Sequence, residues 1–132
     1  MRYMLDTNIC VFALKHNPKV LEEFEAKRND GIAISSITLA ELEFGVCNSQ
    51  AVQKNHNALI AFLSLVDVLS FDGTAAAEYG IINAALRKQG APIGIMDTLI
   101  AAHAISEGLT VITNNTREFN RVSGLTIEDW SI

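Results

Sequence analysis

The residues of this chain best suited to chemistry are Asp6, Glu41 and Asp97. Each stands just after an apolar run or turn and just before a helix-like pattern. The segments are Tyr3-Met4-Leu5-Asp6-Thr7-Asn8, Ser35-Ser36-Ile37-Thr38-Leu39-Ala40-Glu41-Leu42 and Pro92-Ile93-Gly94-Ile95-Met96-Asp97-Thr98. A later run, Val111-Ile112-Thr113-Asn114-Asn115, ends in side-chain oxygens. Carboxylates that meet without cationic partners repel one another, and a divalent cation is the usual remedy. Oxygen-only donors suit a hard ion, Mg²⁺ or Mn²⁺, rather than zinc.

Each acid also has a local structural explanation. Asp6 or Asn8 can cap a helix, Thr38-x-x-Glu41 fits a capping box, and Asp97 can be an N-cap. Three features favour the joint reading. A carboxylate directly after the first strand is costly to bury unless paired or metal-bound. No Lys or Arg lies close in sequence to any of the three acids, and the last apolar run ends in further oxygen donors.

Other chemistries lack support. His103 lies six residues after Asp97, about 240° around a helix and so on another face; a packed or surface histidine is expected. His16 and His56 sit in polar stretches. Cys10 and Cys47, far apart and each inside a helix-like segment, read as small buried hydrophobes rather than a disulfide or zinc site. There is no Ser/His/Asp or Cys/His arrangement and no phosphate-cradling glycine loop. Asp6-Thr7-Asn8 has Asn where an aspartyl-phosphatase motif needs a second Asp.

The elements that must position these residues are short. Strand-like runs are Arg2–Leu5, Ile32–Ser35, Val66–Ser70, Thr110–Thr113 and Thr126–Ile127. Helical patterns cover Asn8–Lys15, a restart at Asn17-Pro18, Thr38 to Asn48, Val52–Leu65, a long stretch from Asp72-Gly73-Thr74 through Lys88, and Asp97–Glu107 with Gly108 as a C-terminal cap. Strands alternating with helices imply a three-layer α/β/α sandwich with a mainly parallel sheet of four to five strands. Ligands of such sheets bind at the carboxyl ends of the strands, where the three acids and Thr113 would gather. How the chain returns across the sheet between residues 88 and 97 is not evident from its residues.

At 132 residues, 49% of them apolar, residues 1–132 form one domain able to bury a single core. No apolar run approaches the ~18 residues of a membrane span. Arg2 is basic, but Asp6 and Asn8 interrupt the N-terminal segment, so no secretory signal is expected and a cytoplasmic location is. The net charge of −5 argues against a general nucleic-acid coat but not against a nuclease, whose site acids count in that total. The few grouped basic residues, Lys27-Arg28, Arg87-Lys88, Arg117 and Arg121, must supply any phosphate-tracking surface; solvated helix surface is the plain alternative. So small a basic surface favours a homodimer with a shared groove.

Taken together, these segments resemble those of PIN-domain ribonucleases, and more narrowly the VapC-type toxins of bacterial toxin–antitoxin pairs. The matching pieces run from Met4-Leu5-Asp6-Thr7-Asn8 through Ile34 to Leu42 with Gly45, then Pro92 to Asp97 with Ile100-Ala101-Ala102-His103-Ala104. They end with Thr113-Asn114-Asn115, Arg117-Glu118-Phe119 and Glu128-Asp129-Trp130. The resemblance implies Asp6, Glu41 and Asp97 as the catalytic and metal-holding acids. The family's fourth acidic position often falls where this chain has Asn115, so either Asn115 or Glu118 serves there. Thr7, Asn8 and Thr113 correspond to residues that orient the acids. Arg87, Lys88, Arg117 and Arg121 are candidates for RNA contact. The implied activity is Mg²⁺- or Mn²⁺-dependent endonucleolytic cleavage of structured RNA, transfer RNA above all and the initiator transfer RNA first. The implied partner is a VapB-type antitoxin, through which alone the protein would meet promoter DNA. Competing expectations are a non-catalytic RNA- or protein-binding module on the same fold, and a metal-dependent DNA nuclease or phosphatase.

Overall fold

The computed structural model describes residues 1–132. Five parallel strands, β1 (Tyr3–Leu5), β2 (Ile32–Ser35), β3 (Asp67–Leu69), β4 (Thr110–Ile112) and β5 (Ile127–Glu128), form one sheet in the order β3-β2-β1-β4-β5. β1 is central, with Leu5 opposite Ile34 on one side and Ile112 on the other. Its three residues are all buried. That is the expected signature of a parallel strand covered on both faces.

Alternation along the strands sorts the core into two layers. Tyr3, Leu5, Ile32 and Ile34 face a cluster that includes Ile9, Val20, Phe24, Leu59, Phe62 and Trp130. These come from α1 (Thr7–Leu14), α2 (Pro18–Lys27), α4 (Val52–Leu63) and the C-terminal segment; α3 (Ser36–Cys47) adds Leu42 and Val46. Met4, Ala33 and Val111 face the other cluster, filled by α5 (Gly73–Lys88), α6 (Ile95–Glu107) and α7 (Thr116–Phe119). The three-layer α/β/α expectation therefore holds. No helix is long and apolar enough to cross a membrane.

The return across the sheet resolves through α5. Its start lies beside the end of β2, where the Phe71 amide donates to the Ser36 hydroxyl. Its far end lies beside the turn after α7, where Arg121 donates to the Pro92 carbonyl. The chain thus crosses the sheet along α5, and a short turn leads into α6. Gly90, at φ 67°, closes α5 in the left-handed conformation with the Ala91 amide on the Leu86 carbonyl, and Gly108, at φ 70°, closes α6 likewise.

Several local expectations are corrected. α3 begins at Ser36 with Ser35 as its cap, the Ser35 hydroxyl accepting from the Ile37 amide. Thr38 is already buried inside the helix and its hydroxyl finds no partner, so there is no Thr38–Glu41 capping box. α6 begins at Ile95, which places Asp97 in its first turn rather than at the cap. Cys10 is buried, but Cys47 is exposed because it ends α3 on the solvent side.

Candidate functional site

Parallel strands point their carboxyl ends one way, and the helices that follow start there. Asp6 follows β1 and caps α1; its Oδ1 accepts from the Ile9 amide at 2.9 Å. Its own amide donates to the Ile112 carbonyl, which ties it to β4. Asp6 is 2% exposed. Burial pushes its pKa up to about 6, the Thr113 hydroxyl and the Ile9 amide pull the other way, and the charges of Asp97 and Asp129 add to the rise. The role of cap thus uses one carboxylate oxygen and does not supply the charge compensation that burial demands.

Asp97 reaches the same place from the first turn of α6. Burial raises its pKa, opposed by the Asn115 side chain and reinforced by Glu41 and Glu118. Asn115 Nδ2 donates to Asp97 Oδ2 at 3.0 Å, and the Asn115 amide donates to Thr113 Oγ1 at 2.8 Å. Glu41 comes from the second turn of α3 and accepts from the Thr7 hydroxyl at 2.5 Å. Asn8 Nδ2 reaches Asn114 Oδ1 at 3.5 Å, a long contact across the rim.

The expected trio therefore shares one sheet edge, with Asp97 between Asp6 and Glu41 electrostatically. No Lys or Arg forms an ion pair with any of the three. The carboxylates do not already form one closed ion-holding group. They influence one another pairwise, each steered by a neutral neighbour: Thr113 for Asp6, Thr7 for Glu41, Asn115 for Asp97. Like charges at one edge raise one another's pKa values, as at Asp6 and Asp97. The donor set of carboxylates, amide and hydroxyls suits a hard ion. His103 faces away, bonded to Ser35, and the Cys10 thiol, fully buried with Asp6 nearby, is pushed well up and stays protonated, so neither adds a soft ligand.

The fourth acidic position is divided. Asn115 turns its N–H to Asp97, a steering contact. Glu118, half-buried, adds negative charge near Asp97 while pairing with Arg121 at 3.8 Å. Arg121 also holds the Pro92 carbonyl, so it is engaged within the fold; Arg87, Lys88 and Arg117 are exposed and make no ion pair.

Sequence reasoning missed Asp129 as a member of this acidic edge. It directly follows β5 as Asp6 follows β1, a parallel hidden by the expected strand Thr126–Ile127, which ends one residue too early. It also missed the cleft beside Glu41. That cleft, of about 260 Å³, is lined by Thr7, Glu41, Lys15, Asn55 and apolar residues of α1, α3 and α4. A second cleft of about 260 Å³, almost wholly apolar, lies between α1, α2 and α4. Leu14 and Ala58 line both clefts, which are therefore neighbours.

Against known proteins, a PIN-domain family model matches residues 3–125. The chain is 47% identical over 131 residues to the tRNA(fMet)-specific endonuclease VapC of Shigella flexneri, covering 99% of each. Among solved structures it is similar to VapBC2 from Rickettsia felis bound to a DNA fragment from its promoter (TM-score 0.95, 42% identity, 98% of this chain and 99% of that chain). It is also similar to DNA-bound VapBC from Salmonella typhimurium (TM-score 0.94, 44% identity, 98% of each). A match over nearly the whole chain, on a fold that gathers the acids at one edge, establishes the kinship: this chain belongs to the PIN-domain family, among its VapC proteins.

Proposed function

We propose that this protein is the toxin of a toxin–antitoxin pair, an endoribonuclease that cuts the initiator transfer RNA with the help of Mg²⁺ or Mn²⁺. The observation that carries the reading is the placement of Asp6, Glu41 and Asp97 at one sheet edge with no Lys or Arg in an ion pair with any of them. It stands in a chain alike along its length to a tRNA(fMet)-specific endonuclease.

Asp6, Glu41 and Asp97 would hold the ion, with Asn115 or Glu118 beside them. When bound, such an ion lowers the pKa of water and offsets charge on phosphate oxygens. The chain's own residues then orient. Thr7 holds Glu41, Thr113 and the Ile9 amide hold Asp6, and Asn115 holds Asp97, so the oxygens present a fixed face to the scissile phosphate. Water attacks phosphorus in line, the bond to the 3′ oxygen breaks, and a 5′-phosphate and a 3′-hydroxyl remain. Positioning and preset charge supply most of the acceleration. Arg87, Lys88 and Arg117, exposed and unpaired, are free to follow the RNA backbone.

Neutralisation by a VapB-type protein fits the surface. An apolar segment laid in the cleft between α1, α2 and α4 would pass Leu14 and Ala58 into the cleft that contains Glu41, and so cover the site. Contact with promoter DNA would come through that complex. Phe44 on α3 and Ile81 on α5, large and well exposed, are suited to a homodimer contact.

The test is incubation with total bacterial RNA, with and without Mg²⁺ or Mn²⁺, followed by mapping of new 5′ ends. The expected result is one dominant metal-dependent cut in the initiator transfer RNA, bearing a 5′-phosphate. Intact RNA in both metals, or equal cutting of DNA, would remove the proposal.

A further inference from the structure

One fully buried imidazole is left over by this mechanism. His103, on α6, places Nδ1 2.8 Å from the hydroxyl of Ser35, itself fully buried. That hydroxyl also accepts from the Ile37 amide at 3.0 Å, as the cap of α3. A serine oxygen accepting from an amide has its own proton to give. Nδ1 and the Ser35 hydroxyl thus share one buried hydrogen bond, while Nε2 has no partner. Phe71 stands edge-on to the ring at 5.4 Å, and its amide holds Ser36. One side chain of α6 thereby fixes the junction from which α3 departs.

We propose that His103 is a positioning residue: its bond to Ser35 locks the root of α3 against α6 and so sets Glu41 relative to Asp97. The inference rests on the endoribonuclease reading. Glu41 lies six residues after Ser35, and Asp97 six residues before His103. Each carboxylate is thus on an arm of about 9 Å from the lock, at 1.5 Å per helical residue. A tilt of about 6° at the lock moves a carboxylate by about 1 Å, enough for a rate loss of about a hundredfold.

The test compares His103→Phe, which keeps the ring and removes Nδ1, with His103→Asn, which is smaller but keeps a polar atom near the Nδ1 position. Both are measured on initiator transfer RNA beside the wild type. His103→Phe should lower kcat between about tenfold and a hundredfold with KM unchanged, and His103→Asn should recover most of that loss despite poorer packing. Ser35→Ala should lower kcat similarly, with the double variant no worse than the poorer single one. A kcat for His103→Phe equal to wild type, or rates that simply follow the melting midpoints of all variants, overturns the positioning role. Should His103→Phe not fold, Ser35→Ala against Ser35→Thr makes the same comparison, and wild-type kcat in Ser35→Ala overturns it. A wild-type protein that leaves the RNA intact overturns the endoribonuclease reading itself, a distinct outcome.

Discussion

Replacing Asp6 by Asn should make the metal-free protein more stable while destroying its activity. Asp6 is 2% exposed, and its pKa rises from an ordinary 3.8 to about 6 on folding. The native state therefore binds this proton more tightly than the unfolded chain. Stability is lost as pH climbs from about 4 through 6 and stays lost above. A rise of about two units corresponds to about 3 kcal/mol at pH 8. Asn keeps an oxygen for the Ile9 amide but accepts less well from Thr113, which costs about 1 kcal/mol. The variant should gain about 2 kcal/mol at pH 8 in a chelator, a rise in melting midpoint of about 6 °C. At pH 4 the advantage should vanish. Adding a divalent ion should reverse the order, because an ion present at about a hundred times its dissociation constant stabilises only the protein that binds it, by about 2.7 kcal/mol. Denaturant unfolding of both proteins from pH 4 to 8, with chelator and then with Mn²⁺, measures all of this. A variant less stable than wild type at pH 8 in chelator, or a gap that ignores pH, would refute the claim that the ionised Asp6 is an uncompensated buried charge.

Glu41→Gln and Asp97→Asn should each reduce transfer RNA cleavage by at least about a thousandfold with the fold retained, read by end-labelled cleavage alongside circular dichroism. Cleavage near the wild-type rate in either would remove that residue from the site. Charge reversal at both Arg87 and Lys88 should weaken RNA binding and flatten its dependence on log salt concentration by about two, whereas an unaltered slope would take them out of the interface. Sedimentation should find a dimer that Phe44→Glu converts to monomer; a monomeric wild type at micromolar concentration would count against the shared groove.

Where the fold was legible, one physical rule decided each element. Continuous apolar runs at Tyr3–Leu5 and Val111–Ile112 marked strands covered on both faces, and Gly108 marked the end of α6 because few residues accept its backbone conformation. Parallel topology then sent Asp6, Glu41, Asp97 and Thr113 to one edge. What was not legible depended on tertiary contact. Thr38-x-x-Glu41 has the letters of a capping box, but the end of β2 makes Ser35 the cap and leaves Glu41 to the Thr7 hydroxyl. His103 is on another face from Asp97, as expected, but its partner is 68 positions away and no local pattern could name it. Arg121 carried the same charge in the sequence as Arg117, and its contacts with the Pro92 carbonyl and Glu118 distinguish them. The crossing along α5 rests on contacts at both of its ends, so the residues between 88 and 97 could not disclose it.

The proposed activity depends on Asp6 at the end of β1, Glu41 on α3 and Asp97 on α6 acting together as a seat for a hard ion. Calorimetric titration of the RNA-free protein with Mn²⁺, repeated with Asp97→Asn and Glu41→Gln and across pH 5 to 8, tests that most directly. Saturable binding is expected, strengthening as pH rises through about 6, where Asp6 ionises, and falling at least tenfold in either variant. Binding of equal strength in wild type and both variants, or none at any pH, would contradict it.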